Sequence, residues 1–373
     1  MNIDKIILTH VRIPLREPFR ISSGSVSEKD AIIVALQSDG VTGYGEASPM
    51  SGSFYSDDTP DSAWKHLVEV IAPRVLDMKL ANIDGLNSLL DRLGGSAFAR
   101  SGIETAAWDL DARMSGKSLA MLLHGSLSEV ESGLAVGIYP SIGDLLEAIE
   151  NYLKEGYRRL KIKIEKGWDI EALRAVRKAF GNLPLMVDAN CAYDREDIEY
   201  LRRLDEFDLM MIEQPLKKKD LEGHLILQKL ISTPICLDES ADDVVSVKRA
   251  IELGSCKIVN IKIQRVGGFR NAKLIHDLCK NAGIPVWAGT MPELGIGGIH
   301  SLLLSSLPGF SYPTDVESSA RWFVDDIVQP RLQVHDGVLK IEDYCSYDID
   351  MEVVRKYKVR DFVASRSMQI KKQ

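Results

Sequence analysis

Cysteine is scarce in this sequence of 373 residues, and no two cysteines form a C-x-x-C pair. The five lie apart, at Cys191, Cys236, Cys256, Cys279 and Cys345. This scatter argues against a disulfide framework and a cysteine zinc site, and it is typical of reduced thiols. The seven histidines form no H-x-H or H-E-x-x-H group, so a histidine metal site is not predicted. Any bound metal is therefore expected to have oxygen ligands.

Excess positive charge and long apolar runs are also missing. Lysine and arginine number 46 against 54 acidic residues, and the net charge of −8 provides no basic surface for nucleic acid. No apolar run reaches the roughly 18 residues that a membrane helix needs, and the first residues lack the features of a signal peptide. The sequence predicts a cytoplasmic protein that acts on a small molecule, without a nucleic-acid or membrane partner.

The pattern of apolar residues divides the chain into two domains. Residues 1–125 are predicted to form an α+β domain, in which strands over 6–8, 31–36 and 41–44 precede helices between residues 58 and 113. Ser38-Asp39-Gly40 is a turn sequence for a hairpin, and Gly116 is a stop signal for the last helix. Residues 126–328 form the second domain, and the tail 329–373 is predicted to pack back on the first.

The second domain alternates short apolar runs with amphipathic helical stretches, which is the pattern of a parallel α/β fold. Eight such runs are what a closed barrel requires. They are Leu134–Ile138, Arg159–Ile164, Leu185–Asp188, Asp208–Glu213, Ile235–Asp238, Lys257–Lys262, Ile284–Trp287 and Phe310–Pro313.

Five charged residues recur near the ends of these runs at a constant interval. Lys163, Asp188, Glu213 and Asp238 follow one another every 25 residues, and Lys262 comes 24 residues later. One β/α unit takes about 25 residues, so these side chains are expected at successive strand C-termini. That rim is where barrel enzymes carry their active sites.

Carboxylates on three neighbouring strands would repel one another unless they shared a cation. Asp188, Glu213 and Asp238 are therefore predicted to bind Mg²⁺, a hard ion that prefers oxygen, with Mn²⁺ as the alternative. Strand alternation places Lys161 on the same face as Lys163. Lysines thus flank the predicted metal site on both sides.

Lysines beside a dication suit the removal of a proton next to a carboxylate. This proton is very weakly acidic, and its loss leaves a doubly charged enediolate that a metal ion can stabilise. The lysine must be neutral to accept the proton, and nearby positive charge lowers its pKa. The pattern therefore predicts a metal-dependent enzyme that abstracts an α-proton.

These residues resemble the enolase superfamily in its muconate-lactonizing subgroup, over nearly the whole chain. The matching motifs are Lys161-x-Lys163, Asp188-Ala189-Asn190, Glu213-Gln214-Pro215, Asp238-Glu239-Ser240 and Lys262, together with Gly102-Ile103-Glu104 through Trp108-Asp109-Leu110. The resemblance implies an α/β fold, a (β/α)7β TIM-type barrel with an α+β capping domain. It implies Mg²⁺ on the three carboxylates, acid/base roles for Lys163 and Lys262 on opposite faces, substrate selection by capping loops Ser22–Ser25 and Ser48–Ser56, and self-association into a homo-oligomer.

Within the subgroup, the stretch from Gly289 through Met291 and Glu293 is most similar to o-succinylbenzoate synthases and N-acylamino acid racemases. Thr290 departs from this pattern, because the relatives carry a second glycine there. Asp315-Val316-Glu317 approaches the D-x-D of dipeptide epimerases, whose acids would bind an α-ammonium group. Dipeptide epimerisation is therefore the runner-up, with muconate cycloisomerisation as a further alternative. The mandelate-racemase branch is disfavoured, because the seventh predicted strand ends without its histidine base.

Other interpretations of the same residues stay open. Asn190 and Glu239 are predicted to support the metal ligands, although Glu239 could equally be an acid at a helix N-terminus. A non-catalytic binding protein on a barrel scaffold is the alternative of a different class. It offers no reason for lysines and acids at five successive strand ends.

Overall fold

The computed structural model describes residues 2–52, 54–79 and 81–366. The first domain is a four-stranded antiparallel sheet covered by helices. Its elements are β1 (Lys5–Ile21), β2 (Gly24–Ser38), β3 (Val41–Ala47), α1 (Pro60–His66), a π-helical turn (Leu67–Ile71), α2 (Ala72–Asp77), α3 (Ile83–Leu93), α4 (Ala97–Ser115) and α5 (Leu119–Leu123). The sequence thus predicted the three strands but not the length of β1 and β2, which pair from Lys5 with Gln37 to Ile21 with Gly24.

Two of the predicted turn signals are confirmed. Asp39 and Gly40 form the two-residue loop between β2 and β3, and both have positive φ, at 48° and 80°. This is the twist that a tight hairpin requires. Helix α4 ends at Gly116, which is left-handed with φ 65° and ψ 21°.

Helix α4 packs directly on β3 because β3 carries glycines at the contact. A Cβ atom at Gly43 would lie 2.3 Å from the backbone nitrogen of Leu110, and one at Gly45 would lie 2.2 Å from the carbonyl oxygen of Gly102. Any larger residue would separate the helix from the sheet. This contact fixes the end of β3, from which the capping loop Ser48–Ser56 departs.

The second domain contains a seven-stranded parallel sheet with helices between its strands. The sheet consists of β5 (Leu134–Val136), β6 (Leu160–Lys163), β7 (Leu185–Asp188), β8 (Ile212–Glu213), β9 (Ile235–Leu237), β10 (Ile258–Ile261) and β11 (Val286–Ala288). A short strand before it, β4 (Glu129–Glu131), lies outside the sheet. Its helices are α6 (Ile142–Leu153), α7 (Ile170–Phe180), α8 (Ile198–Leu201) with flanking 3₁₀ turns (Arg195–Asp197 and Arg202–Phe207), α9 (Leu221–Leu230), α10 (Val244–Leu253), α11 (Ile263–Val266), α12 (Phe269–Asn281) and α13 (Gly295–Ser305).

The predicted eighth strand, Phe310–Pro313, is not a regular strand. It makes single parallel bridges instead, from Phe310 to Val286 on one side and from Thr314 to Ser132 on the other. Pro313 has no N–H to donate, so a continuous ladder cannot form there. The bridges nevertheless link both edges of the sheet, which gives the (β/α)7β arrangement.

The predicted strand Asp208–Glu213 is also shorter than expected. Only Ile212 and Glu213 pair, and Asp208 has a left-handed backbone with φ 47° at the end of the preceding 3₁₀ turn. Strand β7 has its predicted limits, Leu185–Asp188, and the other barrel strands differ from theirs by a residue or two. None of these differences moves a charged residue away from its strand end.

The C-terminal part of the chain joins both domains. Its elements are α14 (Ser319–Trp322), β12 (Val328–Gln329), β13 (Val338–Lys340), a 3₁₀ turn (Glu342–Tyr344), β14 (Asp348–Ile349), α15 (Met351–Tyr357) and β15 (Lys358–Ser365). Strand β13 pairs with β4, whereas β15 pairs with β1 at the edge of the first sheet. The division into 1–125 with 329–373, and 126–328, stays a prediction, since the tail pairs with strands on both sides of it.

Apolar side chains form two main buried clusters. One lies between the barrel strands and the helices around them, and the other lies between the first sheet and helices α1 to α4. A smaller cluster occupies the alternate strand positions inside the barrel: Met186, Met211, Cys236, Ile258 and Trp287. The five cysteines are free thiols, as the sequence predicted. Within residues 2–52, 54–79 and 81–366, no helix combines the length and apolar character of a membrane span.

Candidate active site

Three carboxylates converge at the C-terminal ends of adjacent barrel strands. Asp188 ends β7, Glu213 ends β8, and Asp238 directly follows β9. Asp188 and Glu213 are direct partners in the parallel ladder, and all three side chains are fully buried. One oxygen from each lies within 4.8 Å of the other two. The regular spacing in the sequence thus corresponds to one compact cluster.

Lys161 and Lys163 approach this cluster from β6. The Nζ atom of Lys161 lies 2.8 Å from Glu213 Oε2 and 3.1 Å from Asp188 Oδ2. The Nζ atom of Lys163 lies 2.5 Å from Asp188 Oδ2. Because the two lysines are two residues apart on one strand, their side chains emerge on the same face. Lys161 therefore lies among the carboxylates, while Lys163 lies at their edge.

Lys262 lies at the opposite edge of the cluster. It follows β10, and its Nζ atom is 2.9 Å from Asp238 Oδ2 and 3.1 Å from the hydroxyl of Tyr55. Arg265, one turn further along the chain, donates to the other oxygen of Asp238. Asp188 and Asp238 thus each contact one candidate base, with Glu213 between them.

Burial and neighbouring charges shift the pKa values of the acids and lysines in the cluster. Burial, followed by the charge of Asp188, raises the pKa of Glu213 to about 7. Burial opposes ionisation of Asp188 as well, but the Lys163 and Lys161 ammonium groups outweigh it and hold the pKa of Asp188 below its usual range. Burial favours the neutral amine of Lys262, yet the Asp238 charge outweighs burial and raises the Lys262 pKa.

Two asparagines orient the carboxylates. Asn260 donates from Nδ2 to Glu213 Oε1 at 2.6 Å and accepts from the backbone N–H of Gly289 at 2.8 Å. The Asn190 backbone N–H donates to Asp188 Oδ1 at 2.9 Å, and its side chain donates to Glu239 Oε1 at 3.0 Å. Asn190 therefore joins Asp188 to Glu239, and the supporting role of Asn190 and Glu239 stays a prediction.

Sequence reasoning missed Asn260, Arg265 and Tyr55 as individual residues. Asn260 lies two positions before Lys262, and the alternation that grouped Lys161 with Lys163 could have identified it. Tyr55 and Arg265 give no such signal, because their contacts with Asp238 depend on long-range packing.

Both predicted capping loops reach the barrel rim. Ser22 donates to the carbonyl oxygen of Ala189 at 2.9 Å, and Tyr55 donates to Asp238 Oδ2 at 3.2 Å. Residue 53 of the second loop lies outside the described residues. The Phe19 ring, just before the first loop, has its centre 5.9 Å from Lys163 Nζ. The first domain therefore covers the carboxylate cluster.

The stretch after β11 lies beside the cluster. A Cβ atom at Gly289 would meet the Asn260 side chain at 2.5 Å, so this position needs glycine. Met291 is buried and packs with Met50 and Phe98. The Glu293 carboxylate accepts from the Met291 backbone N–H at 3.0 Å, and this hydrogen bond stabilises the turn from Met291 to Glu293.

Asp315 and Glu317 have protein partners rather than an open ammonium site. Asp315 accepts from Arg159 at 2.8 Å and from Lys161 at 2.9 Å. Glu317 accepts from the Ala135 backbone N–H at 2.8 Å and lies 3.6 Å from Arg321 Nε. Asp315 and Glu317, which suggested dipeptide recognition in the sequence, thus bind groups of the protein itself.

The chemistry of this cluster fits a hard divalent cation. Its donors are carboxylate oxygens only, and they are buried. Burial and then the charge of Asp188 raise the pKa of Glu213, and a shared cation would offset both. Fold and site together define a barrel enzyme in which a carboxylate cluster that could hold a metal ion lies between lysines.

Comparison with known proteins agrees with this class. Residues 3–124 match the N-terminal domain of the mandelate racemase / muconate lactonizing enzyme family, and residues 144–350 match its enolase C-terminal domain-like part. The chain belongs to this family, within the enolase superfamily that the sequence motifs predicted.

Individual relatives narrow the comparison. The chain is 42% identical to an o-succinylbenzoate synthase of Geobacillus kaustophilus over 96% of both proteins. It is 40% identical to an N-succinylamino acid racemase of Thermus thermophilus, over 92% of this chain and 93% of the relative. A solved structure of an enolase superfamily member from Listeria innocua superposes with a TM-score of 0.93 at 36% identity, covering 98% of this chain and all of the other.

Proposed function

We propose that this protein is a Mg²⁺-dependent enzyme that removes the proton next to a substrate carboxylate, as an o-succinylbenzoate synthase, an N-succinylamino acid racemase, or both. The observation that carries this proposal is the placement of Lys163 and Lys262 at opposite edges of a buried three-carboxylate cluster. The relatives named as these two enzymes, similar over nearly the whole chain, support the substrate class.

Asp188, Glu213 and Asp238 would hold the metal ion, and Asn260 keeps Glu213 oriented for it. When bound, Mg²⁺ would supply positive charge that stabilises the substrate carboxylate as its α-proton leaves, and it would offset the Asp238 charge that raises the Lys262 pKa. Mn²⁺ offers the same charge to the same oxygen ligands.

The two lysines divide the proton transfer between them. In racemisation, one lysine removes the α-proton and the other returns a proton to the opposite face. In the synthase reaction, a syn dehydration, Lys163 removes the α-proton and returns it to the departing β-hydroxyl group, which leaves as water. Lys262 stabilises the negative charge formed in between through its ammonium group. Lys161, held among the carboxylates by three acidic partners, is a fixed positive charge rather than a base.

The proposal is tested by assaying three substrate classes in parallel with Mg²⁺. These are N-succinyl amino acids, the cyclohexadiene substrate of o-succinylbenzoate synthases, and Ala-Glu-type dipeptides. We expect turnover of at least one of the first two. Turnover of dipeptides alone would contradict the proposal and favour the epimerase alternative. Self-association stays a prediction, which light scattering of the purified protein checks.

A further inference from the structure

A buried lysine of the first domain contacts two loops that border the active site. Lys29 lies on β2 and is only 4% exposed. Its Nζ atom donates to the carbonyl oxygen of Ser48 at 3.1 Å and to that of Met291 at 3.1 Å. Ser48 begins the capping loop Ser48–Ser56, and Met291 belongs to the barrel loop after β11. One ammonium group therefore joins a loop of each domain.

Both loops lead directly to the catalytic centre. The capping loop carries Tyr55, whose hydroxyl contacts both Lys262 and Asp238. The barrel loop begins with Gly289, whose N–H binds Asn260, the partner of Glu213. A change in the spacing of the loops would therefore alter the space above the carboxylates.

Two buried acids make the position of the Lys29 charge specific. Glu46, at the end of β3, accepts from the backbone N–H groups of Leu294 and Gly297, both at 2.8 Å. Glu293 folds back on Met291, and its Oε1 atom has no hydrogen-bond partner among the described residues. Both acids attract the Lys29 ammonium group, which opposes the desolvation that lowers its pKa.

Without the Lys29 ammonium group, acceptor atoms of the two loops would lie near one another with no donor between them. The carbonyl oxygens of Ser48 and Met291 would lose their shared donor, and Glu46 and Glu293 would lose a positive charge that attracts both of them. Buried acceptors and acids left in this way are costly, and moving the loops apart to admit water relieves the cost. Lys29 contacts none of the carboxylates in the metal cluster, so its removal leaves that cluster's own contacts in place.

We propose that Lys29 is a positioning residue that fixes the spacing between the capping loop and the loop after β11, and thereby selects the side group of the substrate. This inference rests on the proposed function, since the side group is that of a carboxylate undergoing α-proton exchange. The carboxylate end of the substrate is held at the cluster, so its remaining atoms must lie toward these loops. Their spacing then decides which side groups fit.

The test compares the wild-type enzyme with Lys29→Met, which keeps the length of the side chain but removes the donor and the charge. The matched control is Lys273→Met, because Lys273 also donates to a backbone carbonyl, that of Leu123 at 2.7 Å, away from the site. Each protein is assayed for α-proton exchange with N-succinyl derivatives of a small and a large amino acid. A double variant, Lys29→Met with Glu293→Gln, removes the opposing charge and is measured alongside, so that the test does not depend on one variant folding.

We expect Lys29→Met to raise KM for one of the two substrates by about 10- to 100-fold. The ratio of the two kcat/KM values should therefore change at least about tenfold, while kcat changes less than about threefold. Amide hydrogen exchange should become faster in both loops. Lys273→Met should leave the ratio and both loops unchanged. An unchanged ratio with unchanged exchange in the Lys29 variants, or a loss confined to kcat, would overturn the inference. A wild-type enzyme inactive on every N-succinyl substrate would instead refute the proposed function, and the hydrogen-exchange comparison would still test the loop contact.

Discussion

Replacing Asn260 with alanine should weaken metal binding without removing a metal ligand. The Asn260 amide is fully buried between Glu213 and the backbone of Gly289, and it bonds to both. Alanine leaves Glu213 Oε1 without its partner, and it leaves the Gly289 N–H with only the Ile261 carbonyl oxygen at 3.2 Å. Because Glu213 can then rotate, the three carboxylates are no longer fixed in the geometry that binds a cation.

The size of the effect follows from these two hydrogen bonds. Removing groups that orient a metal ligand costs roughly 10- to 100-fold in affinity, which is about 1.4 to 2.7 kcal/mol of binding free energy. The lost bond to a charged acceptor should lower the free energy of unfolding by about 2–3 kcal/mol, and the Gly289 N–H adds little because the Ile261 carbonyl still accepts from it.

Calorimetric titration with Mn²⁺ measures the first effect, and denaturant unfolding in the presence of a chelator measures the second. The control is Asn271→Ala, since the Asn271 amide donates to the Val266 carbonyl at 2.7 Å and touches no carboxylate of the cluster. We expect this control to keep the wild-type metal affinity. An Asn260→Ala variant that binds Mn²⁺ within twofold of wild type would refute the assigned role.

Three further predictions concern the two candidate bases and the buried acids Glu46 and Asp315. Alanine at Lys163 or Lys262 should reduce turnover at least about a hundredfold while Mn²⁺ still binds by calorimetry; retained turnover in both variants would remove their proposed roles. Burial raises the pKa of Glu46 from 4.5 to about 7, so its contribution to stability is present below pH 4.5 and lost as the pH rises through 7. Glu46→Gln should therefore gain up to about 3 kcal/mol relative to wild type between pH 4 and 8 in denaturant unfolding, and a pH-independent difference would contradict this. Asp315→Asn should lower the free energy of unfolding by about 3–5 kcal/mol, because it leaves the buried Arg159 and Lys161 cations short of a counter-charge; an unfolding midpoint equal to wild type would contradict this.

The sequence predicted the centre of the site because barrel geometry is periodic. One β/α unit has a nearly constant length, so residues about 25 positions apart, such as Asp188 and Glu213, lie on neighbouring strand ends. The hairpin at Asp39-Gly40 and the helix end at Gly116 were predictable for a related reason, since each depends on a local backbone conformation that few residues adopt.

The rest depends on contacts that the local pattern does not encode. The Phe310–Pro313 segment reads as a strand, yet a missing N–H at Pro313 reduces it to single bridges. Tyr55 and Lys29 lie in the first domain but act on residues more than two hundred positions away. Their partners are set by how the first sheet packs on the barrel, which no periodicity within either domain specifies.

The most direct test of the central claim is exchange of the substrate α-proton in heavy water, followed by proton NMR. With an N-succinyl amino acid and Mg²⁺, we expect the α-proton signal of the wild-type reaction to disappear, and we expect a chelator to stop the loss. With a single enantiomer of the substrate, the signal should persist when the lysine that faces its α-proton, Lys163 or Lys262, is replaced by alanine. Exchange that continues undiminished in the chelator, or that survives in both lysine variants, would contradict the account.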